Sequence, residues 1–301
     1  MTKSWTRIDI TCGTQTADIL AAEFAELFGV SVEFIPDGIR IYLDSARFAG
    51  ERERLLKTVE SVRSPAGEAG IGLALSEIAD EDWSQTWKAH FKPLRVGRRF
   101  LVSPTWEKAP PDPERLVIRI DPGRAFGTGH HESTRLCLEW LESYPQDPGY
   151  NPAGLSLLDV GTGSGILAIG AALLGFRKVV GIDNDPEAIE VARENIIVNG
   201  LSGKIQLLCA TIEEVSGRFD VIVANIHSMP LIGMSETMAS KLSEGGRLGL
   251  SGILAEQAGE VRAEYERRSL RLTGTTSEGE WVMLAFEKAS RCKPNAIADP
   301  A

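Results

Sequence analysis

A glycine-rich turn constrains this chain more than any other stretch. The segment LLDVGTGSGIL, residues 157–167, runs from an apolar strand pattern into an apolar helix pattern. Gly161, Gly163 and Gly165 lie between the two, where they let the chain turn sharply and a ligand approach bare backbone. Asp183 follows 22 residues after Gly161, at the predicted end of the next strand. A carboxylate there can accept hydrogen bonds from both hydroxyls of a ribose, so the turn predicts a nucleotide-binding α/β domain.

Strand and helix patterns alternate from residue 155 to residue 288. The strands are short runs of Val, Ile and Leu with little alternation, which is typical of parallel strands buried on both faces. The last two predicted strands, LRLTGTT and WVMLAFEK, are separated by SEGE, which predicts a closing hairpin. We therefore expect an α/β, Rossmann-like sheet with an antiparallel last strand, as in class I methyltransferases and unlike plain dinucleotide-binding folds.

The first 80 residues have a different organisation. Their patterns follow the order β-α-β-β-α-β, which predicts a small ferredoxin-like α+β domain. This stretch contains no histidine and no glycine-rich loop. We therefore expect residues 1–80 to recognise a substrate or to pack, and the chemistry to lie further along the chain.

The net charge and the cysteines indicate which classes of partner and which cellular compartment suit this chain. The formal net charge of −10 argues against general nucleic-acid binding, which depends on neutralising phosphates. The four cysteines are scattered without a CxxC pair, which favours a reducing cytoplasm. No apolar run is long enough to cross a membrane, and the first residues lack the apolar core of a signal peptide. Trp83 and Trp87 lie among basic residues, but their i, i+4 spacing favours a packed helix face over a nucleic-acid surface.

The spacing of the glycines favours one nucleotide ligand over another. The turn has the form GxGxG, because Ile166 follows Gly165, whereas NAD sites commonly use GxGxxG. Together with Asp159 before the turn and the closing hairpin, this spacing favours S-adenosylmethionine over a dinucleotide. Asp185, followed by Pro186, has the pattern of a helix N-cap, which leaves Asp183 as the ribose candidate.

Asn225 is the candidate catalytic residue. It ends the strand pattern VIVAN, and ligands of open α/β sheets bind at the carboxyl ends of strands. Its side-chain oxygen can accept a hydrogen bond from an amine and so orient the nitrogen lone pair toward a methyl carbon. A purely local role, as a strand-end cap or turn residue, is the alternative.

Several segments together resemble one family. DWSQTWKAHFKPLRVGRRFLVSPTW, DPGRAFGTGHHESTRLCLEWLE, the glycine turn, FDVIVANIHSMPL and GGRLGLSGIL are similar to the PrmA family, bacterial methyltransferases of large-subunit ribosomal protein eleven. The similarity runs in register from about residue 82 to residue 254. It implies an S-adenosylmethionine-dependent enzyme that methylates N-terminal and lysine amino groups of that ribosomal protein.

The resemblance also implies site residues and domain limits. The donor-binding positions are Thr134, Gly161, Gly163, Asp183 and Asn225. The AFGTG segment becomes a loop over the donor site, and Phe126 and His227 become candidate acceptor contacts. We expect substrate recognition in residues 1–80, a connecting segment in 81–120, the methyltransferase domain in 121–288 and a disordered tail in 289–301. We also expect a cytoplasmic monomer.

The sequence departs from the family in two places. After the second TG glycine the family usually has Thr-His-Pro-Thr-Thr, and this chain has HHEST, residues 130–134. At the fourth strand it usually has Asn-Ile-Leu-Ala, and this chain has NIHS, residues 225–228. Both departures fall where the acceptor amine should enter. His227 is therefore either a proton acceptor, since histidine ordinarily titrates near neutral pH, or a neutral wall or exposed side chain without a role in the reaction.

Three further alternatives concern a metal site, helix capping by Ser133 or Thr134, and the identity of the methyl acceptor. Adjacent His130 and His131 point apart and lack the spacing of HExxH, so we expect no metal site. Ser133 or Thr134 could cap the helix that begins there. A related enzyme acting on another protein lysine or on a small molecule has the same donor motifs. A donor-binding module without catalysis is a further alternative, which the presence of Asn225 disfavours.

Overall fold

The chain divides into two compact units, residues 1–90 and residues 91–301, each with its own core. The computed structural model describes residues 4–28, 30, 32–62, 71–79, 91–110, 112–121, 129–144 and 151–290. The expected helix with Trp83 and Trp87 lies outside these residues, as do the AFGTG segment up to residue 128 and the expected tail from residue 291.

The first unit is a four-stranded antiparallel sheet with two helices. Its elements are β1 (Ser4–Thr11), α1 (Thr14–Phe28), β2 (Val32–Ile35), β3 (Gly38–Asp44), α2 (Ser45–Ser61) and β4 (Gly72–Ala79). Alternating apolar residues of β1 and β3, such as Ile8 and Ile41, are buried against Leu20 and Phe24 of α1. The strand order β4-β1-β3-β2 is that of the ferredoxin-like fold, which confirms the expected architecture.

The second unit is a three-layer α/β structure. Its first half contains β5 (Leu94–Val96), β6 (Phe100–Ser103), β7 (Leu116–Arg119), α3 (Glu132–Glu142), β8 (Ser156–Val160), α4 (Ile166–Leu173), β9 (Lys178–Asp183) and α5 (Pro186–Val198). Its second half contains β10 (Ile205–Cys209), β11 (Phe219–Asn225), α6 (Ser228–Gly233), α7 (Ser235–Lys241), β12 (Leu242–Leu254), α8 (Ala258–Arg267), β13 (Leu270–Glu278) and β14 (Trp281–Lys288).

The large sheet of this unit has the order β10-β9-β8-β11-β12-β14-β13. β8, β9, β10, β11 and β12 pair in parallel, whereas β14 is antiparallel to both β12 and β13. The last described strand is therefore inserted between two earlier ones. This arrangement confirms the terminal reversal that the SEGE turn predicts.

The core of this unit occupies both faces of the large sheet. On one face, buried residues of α3 and α4, such as Leu138 and Ile169, pack with Leu157 of β8. On the other, Val261 and Tyr265 of α8 pack with the remaining face of the sheet. Burial on both faces explains why the strand sequences are continuous apolar runs.

The expected connecting segment, residues 81–120, contains three strands in its described part. β5, β6 and β7 make a three-stranded sheet, antiparallel between β5 and β6 and parallel between β6 and β7. Phe100 and Ile118 are fully buried in the core beside Gly170 of α4, where an added Cβ would lie 3.5 Å from Phe100. The described part of this segment therefore contributes strands and buried side chains to the second unit. Its short strands lie between Pro-rich and basic stretches that mask their apolar pattern.

The register of the parallel strands sets where a site can form. Val160 of β8 lies opposite Ile182 of β9 on one side and Ala224 of β11 on the other. The next residues along these strands are Gly161, Asp183 and Asn225. The register therefore brings three sequence-predicted residues to one edge of the sheet, at the carboxyl ends of its strands.

Among the described residues, the helices are either too short or too polar to cross a membrane.

Candidate functional site

A cavity of about 710 Å³ opens at this edge of the sheet. Its size lies within the range of small-molecule sites, and its walls are mainly apolar with a few polar groups. The polar or ring-bearing residues that line it are His131, Ser133, Asp183, Asn184, Thr211, Asn225, His227 and Trp281.

The glycine turn forms one wall of the cavity. Gly161 and Gly163 line it with positive φ angles of 70° and 52°. A Cβ added to Gly161 would lie 2.5 Å from Cγ2 of Ile226, so a larger residue cannot fit unless the Ile226 side chain moves. The backbone N–H of Gly163 donates to Oδ2 of Asp183 over 3.0 Å. The turn is thus fixed to the carboxylate expected to bind a ribose.

Asp183 ends β9 and is half-buried in the cavity wall. Its Oδ2 accepts from Gly163, and its Oδ1 accepts from the backbone N–H of Asp185 over 3.1 Å. An ionised carboxylate has about four lone-pair sites. Two are occupied by these backbone groups, so the carboxylate retains capacity for two hydroxyl donors. Asp185 itself caps α5 by accepting from the N–H of Glu187, as predicted.

Asn225 ends β11 and is 8% exposed in the same cavity. Its Nδ2 donates to Oγ1 of Thr134 over 3.1 Å. Its Oδ1 is buried and has no hydrogen-bond partner among the described residues. Leaving such an acceptor unsatisfied costs about 1–3 kcal/mol, so the atom is suited to a donor that a ligand supplies.

Thr134 supports Asn225 rather than lining the cavity. It is fully buried in the first turn of α3, and the wall residue from that turn is Ser133. Neither residue caps the helix, contrary to one expectation. α3 begins at Glu132, so both residues already lie inside it, and the cap is His131.

His131 is a site residue whose role the sequence does not indicate. Its Nδ1 accepts from the backbone N–H of Ser133 over 3.3 Å and lies 2.8 Å from that residue's Oγ. Its ring packs edge-on against Trp281, with 4.7 Å between ring centroids. Burial lowers the pKa of His131, which favours the neutral ring that the cap requires. Histidine is not among the usual N-cap residues, so only its position before an amphipathic run could have indicated this role.

His227 stands at the exposed rim of the cavity. It precedes α6 and makes no side-chain cap bond to that helix in the described part of the chain. The imidazole is therefore not committed to holding the helix. Phe126, the other candidate acceptor contact, lies outside the described residues.

Asp159 lies beneath the glycine turn and is fully buried. Its Oδ2 accepts from Thr162 Oγ1 over 2.6 Å and from the N–H of Ala168 over 3.1 Å. Its Oδ1 has no partner among the residues that the structure describes. Burial raises the pKa of Asp159 to about 7, and the two hydrogen bonds oppose this only in part. The residue therefore ties the turn to α4 rather than facing the cavity.

No group of three or more His, Cys, Asp or Glu side chains within the described residues could hold a metal ion. His130 and His131 contact different rings, those of Phe91 and Trp281 respectively.

A family model described as ribosomal protein L11 methyltransferase (PrmA) matches residues 38–289, most of the chain. The chain belongs to the PrmA family. This confirms the resemblance that the sequence motifs indicate. It also places the glycine turn of this PrmA family member in a methyltransferase sheet rather than in a dehydrogenase.

Relatives match this PrmA family member along nearly its whole length. A ribosomal protein L11 methyltransferase of Pelobacter propionicus is 42% identical over 97% of this chain and 100% of its own. One of Geobacter sulfurreducens is 40% identical over 95% of this chain and 99% of its own. The crystal structure of a ribosomal protein L11 methylase from Lactobacillus delbrueckii subsp. bulgaricus has a TM-score of 0.60 at 32% identity. It covers 66% of this chain and 98% of that one, and the fold is that of class I methyltransferases.

Proposed function

We propose that this protein transfers methyl groups from S-adenosylmethionine to N-terminal and lysine amino groups of large-subunit ribosomal protein L11. The observation that carries the proposal is Asn225, whose Oδ1 is buried without a described partner in a cavity beside the glycine turn. The relatives are named as methyltransferases of ribosomal protein L11. Because this chain belongs to the same family, we propose the same acceptor protein for it.

The residues of the cavity fit the methyl donor. Asp183 retains two acceptor positions for ribose hydroxyls, and Gly161 and Gly163 present backbone without side chains. The wall contains apolar residues such as Ile182 and Ile212, which suit the flat face of an adenine ring. S-adenosylmethionine, when bound, supplies an electrophilic methyl group on a sulfonium.

The acceptor amine must arrive neutral, because an ammonium has no lone pair. A lysine amine has an ordinary pKa near 10.4, so the site must favour its neutral form. Asn225 Oδ1 accepts one N–H of the amine and orients the lone pair, which supplies alignment rather than a base. His131 does not serve as a base through Nδ1, because that atom accepts from the backbone of Ser133. The proton leaves to water before transfer.

The proposal includes a location and a set of partners. We place the protein in the cytoplasm as a monomer that contacts the ribosomal protein and makes no direct contact with nucleic acid. The scattered cysteines and the net charge of −10 support these choices.

The test is intact-mass spectrometry of unmethylated ribosomal protein L11 incubated with this protein and S-adenosylmethionine. We expect stepwise mass gains, each equal to the replacement of one hydrogen by one methyl group. Peptide mapping then assigns each gain to the N-terminus or to a lysine. Asn225→Ala is the control for gains caused by a contaminating enzyme.

A related N-methyltransferase with a different acceptor, a protein lysine or a small molecule, is the second candidate. The observation that favours it is His227 at the exposed rim, where the family usually has leucine. If ribosomal protein L11 gains no mass although calorimetry shows that S-adenosylmethionine binds, this second candidate replaces the first. If the protein binds S-adenosylmethionine but methylates no amine acceptor, the remaining interpretation is a donor-binding module without catalysis.

A further inference from the structure

Arg135, on the first turn of α3, joins three groups from two segments. Its Nε lies 3.1 Å from each carboxylate oxygen of Glu278, and its Nη2 lies 2.6 Å from Oε1 of the same residue. Nη2 also lies 3.2 Å from Oε1 of Glu132, and Nη1 donates to the carbonyl oxygen of His130. We call this arrangement the Arg135 clamp: Arg135 with the carboxylates of Glu132 and Glu278 and the carbonyl of His130.

The clamp joins the same two segments that meet in the cavity wall. Glu278 pairs across the β13–β14 hairpin with Trp281. The ring of Trp281 packs on His131, which directly follows His130. The hairpin and the start of α3 are thus held together twice, once by the clamp and once by the two rings. Both rings line the cavity.

The geometry requires a guanidinium. A forked Arg–carboxylate contact fixes direction as well as distance, whereas a lysine ammonium offers one compact charge. Arg135 must also reach the His130 carbonyl from the same planar group. The Arg135 side chain is only 18% exposed, so solvent competes weakly for its donors. The hydrogen bond that Arg135 donates to Glu278 is the main cause of the raised pKa of Arg135.

The clamp adjoins the residue that orients the amine. Thr134 precedes Arg135 in the same turn and accepts the hydrogen bond from Asn225. A shift of this turn would therefore move His131, Ser133 and the Thr134 support of Asn225 together. Asp183 and the glycine turn belong to other elements, the ends of β9 and β8.

We propose that Arg135 is a positioning residue for the acceptor: the clamp holds the β13–β14 hairpin on the first turn of α3 and fixes the spacing between His131 and Trp281. The inference rests on the proposed function, because it assigns this part of the cavity to the incoming amine. It predicts that loss of the clamp weakens acceptor use and leaves donor binding intact.

The experiment compares Arg135→Gln, Arg135→Lys and Glu278→Gln with the wild type. The matched control is Arg193→Gln, which removes an exposed i, i+3 pair with Glu190 on α5. Kinetics with ribosomal protein L11 give KM and kcat for the acceptor, and calorimetry gives the donor Kd. The indole N–H resonance of Trp281, assigned with Trp281→Phe, reports on the hairpin without any donor or acceptor.

We expect Arg135→Gln and Glu278→Gln to raise the acceptor KM about tenfold, the scale of one lost charge-assisted hydrogen bond. The donor Kd should change less than about twofold, because Asp183 and the glycine turn lie on other elements and keep their own hydrogen bonds. Both variants, and Arg135→Lys in part, should shift the Trp281 resonance, whereas Arg193→Gln should match the wild type in every measurement.

Two results would overturn the proposal: an unchanged Trp281 resonance in both glutamine variants, or an unchanged acceptor KM in both. If the wild type does not methylate ribosomal protein L11, the proposed function fails, and the Trp281 resonance still tests the clamp. If Arg135→Gln does not fold, Glu278→Gln carries the test, because Glu278 is 42% exposed and its replacement leaves Arg135 paired with Glu132.

Discussion

Asn225 and Thr134 form a buried pair in which only one end of the asparagine amide is satisfied. Nδ2 donates to Thr134 Oγ1 over 3.1 Å, and Oδ1 has no partner among the described residues. In this orientation the threonine hydroxyl accepts the amide N–H, and the amide oxygen keeps its full capacity to accept. The atom of Asn225 that is available to a ligand donor is therefore Oδ1.

Asn225→Ala should lower kcat by about 100-fold or more, since removal of one preorganised polar group commonly costs that much. Thr134→Val should lower kcat less, because it frees the amide to rotate but keeps the oxygen. Steady-state kinetics with ribosomal protein L11 and parallel donor titrations check both. Unchanged turnover in Asn225→Ala would remove this residue from the mechanism.

Asp183→Ala should weaken donor binding by about 10- to 100-fold, the loss expected for one or two hydrogen bonds to a charged group. Asp185→Ala is the matched control two residues away, because that carboxylate caps α5. Its loss should cost about 1 kcal/mol of stability with the donor Kd unchanged. Calorimetry and thermal unfolding separate the two effects. Normal donor binding by Asp183→Ala would refute the ribose assignment.

Gly161→Ala should abolish measurable donor binding. Alanine at a positive φ costs roughly 1–2 kcal/mol, and its Cβ would also lie 2.5 Å from Ile226. Gly175→Ala is the matched control: φ is 92° there, but nothing lies within 4 Å of the added Cβ. Gly175→Ala therefore has the conformational cost of alanine at a positive φ but no steric overlap. Equal donor affinities and equal melting temperatures in the two variants would contradict the prediction.

Asp159→Asn should change how stability depends on pH. Burial raises the pKa of Asp159 from 3.8 to about 7, so at intermediate pH the folded state keeps a proton that the unfolded state has lost. The free energy of unfolding should therefore fall as the pH rises from about 4 to about 7. An asparagine side chain cannot titrate, so the variant should lack this contribution. Urea unfolding across the window measures it, and parallel curves for variant and wild type would be inconsistent with the shift.

The arrangement of the donor side follows from sequence patterns with simple physical rules. Gly161, Asp183 and Asn225 each follow an apolar run, and parallel strands place such positions at one edge. Asp185 before Pro186 is an N-cap by residue type alone, and the structure agrees. Their assignment as ligand contacts stays a prediction.

The acceptor side could not be read from the sequence in the same way. Trp281 meets His131 through a contact between residues 150 positions apart, which no local pattern encodes. The Arg135–Glu278 pair is equally long-range. β5, β6 and β7 are three or four residues long, too short for their alternation to distinguish them from a connecting segment.

The insertion of β14 between β12 and β13 orders events during synthesis. β13 pairs with β14, which follows it in the sequence and is the last described strand. While the ribosome still holds residues 281–288, β13 has no neighbouring strand to pair with. Trp281 is then also missing from the cavity wall. Residues 281–288 must therefore be free of the ribosome before this edge of the sheet can close. The arrival of β14 then completes both the core and the cavity wall in one step.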